Sequence, residues 1–136
     1  MASDMGTYLG NALCLWLAGT TMPAAPANCF AALFVGNPKA GGTEVTTTIR
    51  AAGRVAIDFD AIVSGTDNVL TNNTDTDFGV ADAAQTGVNY VAIYDAATAG
   101  NLLFGKLLAG GPFDIAAGAP VKFTAGDLTF TMGSAT

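Results

Sequence analysis

The chain has 136 residues, a length that fits one domain and leaves little room for two. It is 51% apolar and only 12% charged, a composition that excludes a charge-rich disordered chain. Five basic residues face eleven acids, and the net charge of −6 argues against nucleic acid and anionic membranes as partners, because both attract clustered Lys and Arg. We therefore expect a single domain over residues 1–136.

The first predicted element is an amphipathic helix over residues 7–19. Its apolar side chains fall at helical spacing: Leu9, Ala12, Leu13, Trp16 and Leu17. Thr7 is the expected N-terminal cap, and Gly19 stands where a glycine commonly ends a helix. We interpret Trp16 as the anchor of the helix in the core, and an exposed binding platform is the alternative. The apolar stretch at residues 8–18 is too short to span a bilayer.

Short strands are predicted after the helix. Apolar runs and alternating patterns place them at residues 29–35, 43–49, 54–59, 88–94, 102–108, 121–123 and 127–132. Within the fourth of these, Val91 and Ile93 share one face and the two tyrosines share the other, and the Gly-Lys pair at 105–106 suggests a bulge. Because only one helical pattern appears, the sequence predicts a mainly β fold. We expect a single antiparallel β-sandwich or barrel-like domain with one N-terminal amphipathic helix.

The residues that common catalytic sites need are missing. The chain has no His, which removes Ser-His-Asp and Cys-His activation, and Cys14 and Cys29 are too few for a zinc site. We expect both cysteines to be small buried hydrophobes in a reduced compartment. Asp58 and Asp60 are the candidates for a glycosidase pair, but any β protein can contain two such acids. The sequence therefore predicts no catalytic residue, no cofactor and no metal ligand.

One acidic stretch has the oxygen-rich composition that hard cations such as calcium prefer. Its acids are Asp58, Asp60, Asp67, Asp75, Asp77 and Asp82. An EF-hand loop that began at Asp75 would need a bidentate glutamate where this chain has Thr86. We interpret the stretch as a solvated acidic loop whose aspartates cap turns, and cation binding is the alternative.

A series of short segments, in order along nearly the whole chain, matches one family pattern. They are residues 8–13 (YLGNAL), 16–20 (WLAGT), 30–34 (FAALF), 37–38 (NP), 41–45 (GGTEV), 93–96 (IYDA), 100–104 (GNLLF), 117–118 (AG), 121–123 (VKF) and 125–129 (AGDLT). With them the chain resembles a family of small tailed-bacteriophage virion proteins, whose members are labelled tail fibre or head decoration (cement) proteins. Residues 60–87 match poorly, and Ile49-Arg50 stands where the family has Tyr-x-Arg.

The resemblance implies a non-enzymatic virion structural protein, made in the host cytoplasm, with no catalytic residues to carry over. The partners it implies are the major capsid protein and further copies of the chain, in assemblies such as a trimer, with no small-molecule substrate. We expect a capsid decoration protein on the outer capsid surface, because the chain lacks the repeats or heptads of fibre shafts. Such a protein stabilises the assembled lattice by binding it. The alternatives are a tail or tail-fibre component and, from another class, a carbohydrate-binding module that stacks sugars on Tyr90, Tyr94 or Trp16.

Overall fold

The computed structural model of the chain describes residues 4–60 and 69–131, and its strands all pair antiparallel. The helices are α1 (Thr7–Leu17) and α2 (Thr46–Ile49), and a 3-10 turn lies at Pro38–Ala40. The strands are β1 (Cys29–Val35), β2 (Thr43–Glu44), β3 (Val55–Ile57), β4 (Val69–Thr71), β5 (Thr76–Val80), β6 (Gln85–Val88), β7 (Tyr90–Tyr94), β8 (Leu102–Leu107), β9 (Phe113–Ile115), β10 (Pro120–Phe123) and β11 (Thr129–Thr131). No closed barrel forms among these residues, so the structure confirms a mainly β, sandwich-like fold with an N-terminal helix.

The central layer is a five-stranded sheet. Four of its strands lie in the order β2-β1-β7-β8, and the fifth, β3, pairs with β1. Strand β1 pairs with β7 along one edge, and its other edge is shared end to end by β2 and β3. Consequently Glu44, opposite Phe34, and Ala56, opposite Phe30, follow one another along the same edge of β1. This sharing of one edge brings together two segments that lie ten residues apart in the chain.

The second layer consists of two-stranded ribbons, β5 with β10, β4 with β11 and β6 with β9. Their apolar side chains pack against the inner face of the central sheet. The core contains Leu33, Val91, Ile93 and Phe104 from the sheet with Phe78, Val121, Leu128 and Phe130 from the ribbons and their flanks. The Phe130 ring lies 5.8 Å from the ring of Phe104, which joins the two layers at their centre.

The alternation predicted for residues 88–94 is confirmed, but the strand is interrupted. Val91 and Ile93 are fully buried on the inner face, and Tyr90 and Tyr94 pack around Ala32, Ala92 and Phe34 on the outer face. The run divides at position 89 because residues 85–88 pair with β9, whereas residues 90–94 pair with β1 and β8. The Asn89 side chain at this point accepts a hydrogen bond from the amide of residue 36.

The bulge predicted at residues 105–106 lies elsewhere in the same strand. Ile93 pairs with Phe104 and Tyr94 with Leu102, so the extra residue is Leu103. Gly105 has another role, because a Cβ at that position would lie 2.6 Å from the ring of Pro38. The glycine thus allows the 3-10 turn to pack closely on the outer face of β8.

The strand predicted at residues 43–49 is wrong beyond Glu44. The chain turns there into the short helix α2, and the hydroxyl of Thr46 accepts a hydrogen bond from the amide of Leu33 at 2.9 Å. The Thr46 hydroxyl takes the place of the backbone carbonyl that a continued strand β2 would offer. The Leu33 amide of β1 therefore keeps a hydrogen bond although the chain turns away after Glu44. The turn buries Ile49 completely in the core.

Helix α1 ends near the predicted position, but its packing differs from the prediction. Gly19 adopts a φ of 92°, and its amide bonds the carbonyl of Trp16, which closes the C-terminus as expected. The N-cap is Gly6, with no capping side chain, so the predicted role of Thr7 is wrong. Trp16 is 57% exposed, so its interpretation as a core anchor is also wrong. Within the described part of the chain, no helix is long and apolar enough to cross a membrane.

Candidate functional site

The two aspartates considered for glycoside hydrolysis lie on the surface beyond the end of β3. Asp58 and Asp60 are both exposed, and their backbone groups bond the segment at residues 71–73. These hydrogen bonds form an isolated antiparallel bridge between Phe59 and Asn72, so the two acids flank Phe59 beyond the end of β3. Among residues 4–60 and 69–131, no cluster of three or more His, Cys, Asp or Glu side chains could hold a metal ion.

The other acids of this stretch each hold a different turn. Asp75 accepts a hydrogen bond from the amide of residue 125 at 3.0 Å, and one of its oxygens lies 3.4 Å from Nζ of Lys122. Asp77 accepts from the amide of residue 79 at 2.8 Å, and Asp82 accepts from the amide of residue 51 at 2.7 Å. Asp67 lies outside the described residues. The described carboxylates therefore bind backbone N–H groups at separate places rather than converging on one point.

The two cysteines occupy different environments, and neither is fully buried. Cys14 is exposed on α1, so the expectation of a buried thiol is wrong there. Cys29 is half-buried at the start of β1. Burial raises the pKa of the Cys29 thiol, and the carboxylates of Asp95 and Asp58 act in the same direction. A raised pKa keeps this thiol protonated at neutral pH, which is the opposite of what nucleophilic catalysis requires.

A polar clamp, formed by Glu44, Arg54 and Tyr94, holds the outer edge of the central sheet. Arg54 binds Glu44 through two hydrogen bonds, Nε to Oε2 at 3.0 Å and Nη2 to Oε1 at 2.8 Å. Its Nη1 donates to the carbonyls of Ala96 and Ala99, and its Cζ lies 3.6 Å from the centre of the Tyr94 ring. The guanidinium is therefore fully engaged within the chain, and one face of the Tyr94 ring is covered. The face of Tyr94 that carries Arg54 is therefore not available to stack a sugar.

The charge of Glu44 is stabilised in this clamp. Burial alone would raise the pKa of its carboxyl, but the hydrogen bonds from Arg54 and Thr46, with the charge of Arg54, hold the pKa below its usual value. Nothing in the sequence spacing predicts this pair, because it forms only where β2 and β3 share the edge of β1. The sequence feature that could have drawn attention to this residue is compositional, because Glu44 is the only glutamate of the chain.

The most exposed apolar surface is the apolar arm, which we define as residues 13–22, the last turns of α1 and the bend that follows. Leu15, Trp16 and Leu17 are 53%, 57% and 77% exposed. The arm lies in a stretch of 34 residues, from 5 to 38, without a single charged side chain. Solvent-exposed helices normally carry charges on their outer face, so an uncharged exposed helix end is unusual.

A second apolar feature is concave, the β9–β10 groove, with a volume of about 340 Å³. Its floor is formed by Leu33, Val88 and Leu108, and its walls by Phe113, Asp114, Ile115 and residues 119–123. Phe113 at its rim is 42% exposed. The lining is mostly apolar, with Asp114 and Lys122 as the charged groups, and no residue of the apolar arm lines it.

These features describe a β-rich fold whose described carboxylates mainly hold turns and loops, and whose surface includes an apolar arm and an apolar groove. The chain belongs to the family described as podophage GP4 fiber I protein gp80, whose family model matches residues 4–131. This match confirms the resemblance to small structural proteins of tailed phages. A search of curated proteins finds no match.

Proposed function

We propose that this protein is a non-enzymatic structural component of the phage virion and that it is a fibre-type module of the tail. The observation that carries the proposal is the family match over residues 4–131, because the family is described as a fiber I protein. The described surface agrees with this role. It offers an uncharged apolar arm and an apolar groove for protein contacts.

Capsid decoration is the second candidate. It is favoured by the absence of sequence repeats and heptads, since fibre shafts usually need one or the other to build length. A decoration protein would bind the major capsid protein over the outer surface of the head and stabilise the assembled shell. The low charge of the chain suits either location, because few charges are desolvated when such a surface is covered.

Copy number and fractionation of purified virions distinguish the two candidates. A fibre module is expected in a small number of copies and should remain with the tails when heads and tails are separated. A decoration protein must cover a lattice, so its copy number should be comparable to that of the major capsid protein. Quantitative gel densitometry of whole virions and of the two fractions measures both quantities. Lattice-level stoichiometry in the head fraction would contradict the tail proposal.

A further inference from the structure

The base of α1 and the β9–β10 groove lie at different ends of strand β8. The base of α1 is attached at the start of β8, where the amide of Gly6 bonds the carbonyl of Leu103 at 2.6 Å. The groove lies past the other end of that strand, with Leu108 in its floor. Five residues of extended strand separate Leu103 from Leu108 by about 16 Å. The helix that carries the arm is therefore attached at one end of β8, and the groove lies at the other end.

We infer that the apolar arm of one copy of this chain binds in the β9–β10 groove of another copy. Trp16 is the central side chain of the proposed contact. The groove volume of about 340 Å³ lies in the range that holds drug-sized ligands, so an indole ring fits within it. Tryptophan is also among the residues that most often dominate the binding energy of interfaces.

Charge favours a second copy as the occupant. Each copy carries a net charge of −6, so two copies repel one another unless they meet where charge is sparse. The arm lies in the uncharged stretch of residues 5–38, and the groove carries one acid and one base, Asp114 and Lys122. Contact between arm and groove therefore brings two acidic chains together without placing acids of one against acids of the other.

The exposed area indicates how strong each contact is. Leu15, Trp16 and Leu17 expose on the order of 400 Å², about half of the roughly 800 Å² that each partner contributes to one standard interface. A single arm–groove contact therefore belongs to the small, weak class of interfaces, and assembly requires a raised protein concentration. Because the two surfaces differ, the contact is heterologous, and such contacts produce closed rings or extended stacks rather than an isolated symmetric dimer.

The association can be followed in the purified full-length chain with its own tryptophan. Trp16 is the only tryptophan, so its fluorescence reports on the arm alone. We expect sedimentation velocity to show assembly as the concentration rises and the emission maximum to shift to the blue in parallel. Trp16→Ala should weaken assembly by at least ~30-fold, the scale of a hot-spot truncation. The control Leu107→Ala, at an exposed leucine on the outer face opposite Tyr90, should assemble like the wild type.

Mixing two variants tests the proposed direction of the contact. Trp16→Ala keeps an intact groove and Phe113→Ala keeps an intact arm, so each alone should stay monomeric and the mixture should stop at a one-to-one dimer. Circular dichroism of each variant verifies that it is folded. A wild type that remains monomeric with red-shifted emission at all concentrations, or a Trp16→Ala variant that assembles normally, would overturn the inference. Self-association of Phe113→Ala through its arm would also overturn it. Because the measurement uses the purified chain, its outcome is independent of the tail or head location in the virion.

Discussion

Replacing Asn72 with Ala should remove a large part of the stability of the fold. Asn72 is 1% exposed, and its Nδ2 donates to the carbonyls of Thr74 and Thr124 at 3.0 and 3.1 Å. Its Oδ1 accepts from the amides of Gly126 at 3.1 Å and Leu128 at 2.9 Å. The Gly126 amide also bonds the Asn72 carbonyl, so it keeps a partner in the variant, but the buried Leu128 amide loses its Oδ1 acceptor.

The expected loss follows from these contacts. An unsatisfied buried amide costs about 1–3 kcal/mol and each further lost hydrogen bond about 1 kcal/mol, which gives a total of about 3–5 kcal/mol. At about 3 °C per kcal/mol for a chain of this size, the melting temperature should fall by about 10 °C or more. Urea unfolding followed by circular dichroism, together with a thermal melt, measures both quantities.

The neighbouring residue provides a matched control. Asn73 is exposed and makes one side-chain hydrogen bond, 3.3 Å long, to the carbonyl of Phe59. Asn73→Ala should therefore change the free energy of unfolding by less than about 0.5 kcal/mol, as surface substitutions usually do. If Asn72→Ala lost no more stability than Asn73→Ala, the reasoning that Asn72 holds the turn at residues 124–128 would be refuted.

Three further predictions concern the clamp, the arm and two glycines. Burial alone would raise the pKa of Glu44, but the hydrogen bonds and charge of Arg54 lower it in the folded protein. The ionised carboxylate therefore stabilises the fold fully above the usual pKa of 4.5, and this contribution is lost as pH falls through the lower folded pKa. Glu44→Gln should make the free energy of unfolding less dependent on acid pH, as measured by urea titrations at several pH values. Trp16→Ala should change the free energy of unfolding at low protein concentration by less than about 1 kcal/mol, and a loss of about 3–5 kcal/mol would restore its role as a core anchor. Gly42→Ala should destabilise by about 1–3 kcal/mol because a Cβ would collide with the backbone of the preceding turn. Gly10→Ala on α1, where a Cβ would only make an ordinary contact of 3.7 Å with the sulfur of Met5, should stabilise by about 0.5–1 kcal/mol in thermal melts.

Local patterns in the sequence identified several of the strands and the end of the helix, whereas β4, β5 and β9 formed where no strand was predicted. The run at residues 29–35 forms β1 with the predicted bounds, and Val91 and Ile93 face the core as their alternation required. Gly19 ends α1 because a left-handed residue is favourable at a helix C-terminus. These features depend on the spacing of neighbouring residues, so they can be read without knowledge of distant contacts.

Other features were decided by residues that are far apart in the chain. Thr46 leaves the strand conformation because its hydroxyl bonds the amide of Leu33, thirteen residues away. Arg54 meets Glu44 only because two short strands share one edge of β1. The helical stripe correctly identified an apolar face on α1, but periodicity cannot tell how much of that face the rest of the chain covers. The domain covers only the first turns, and Trp16 stays exposed because no described element packs over the end of the helix.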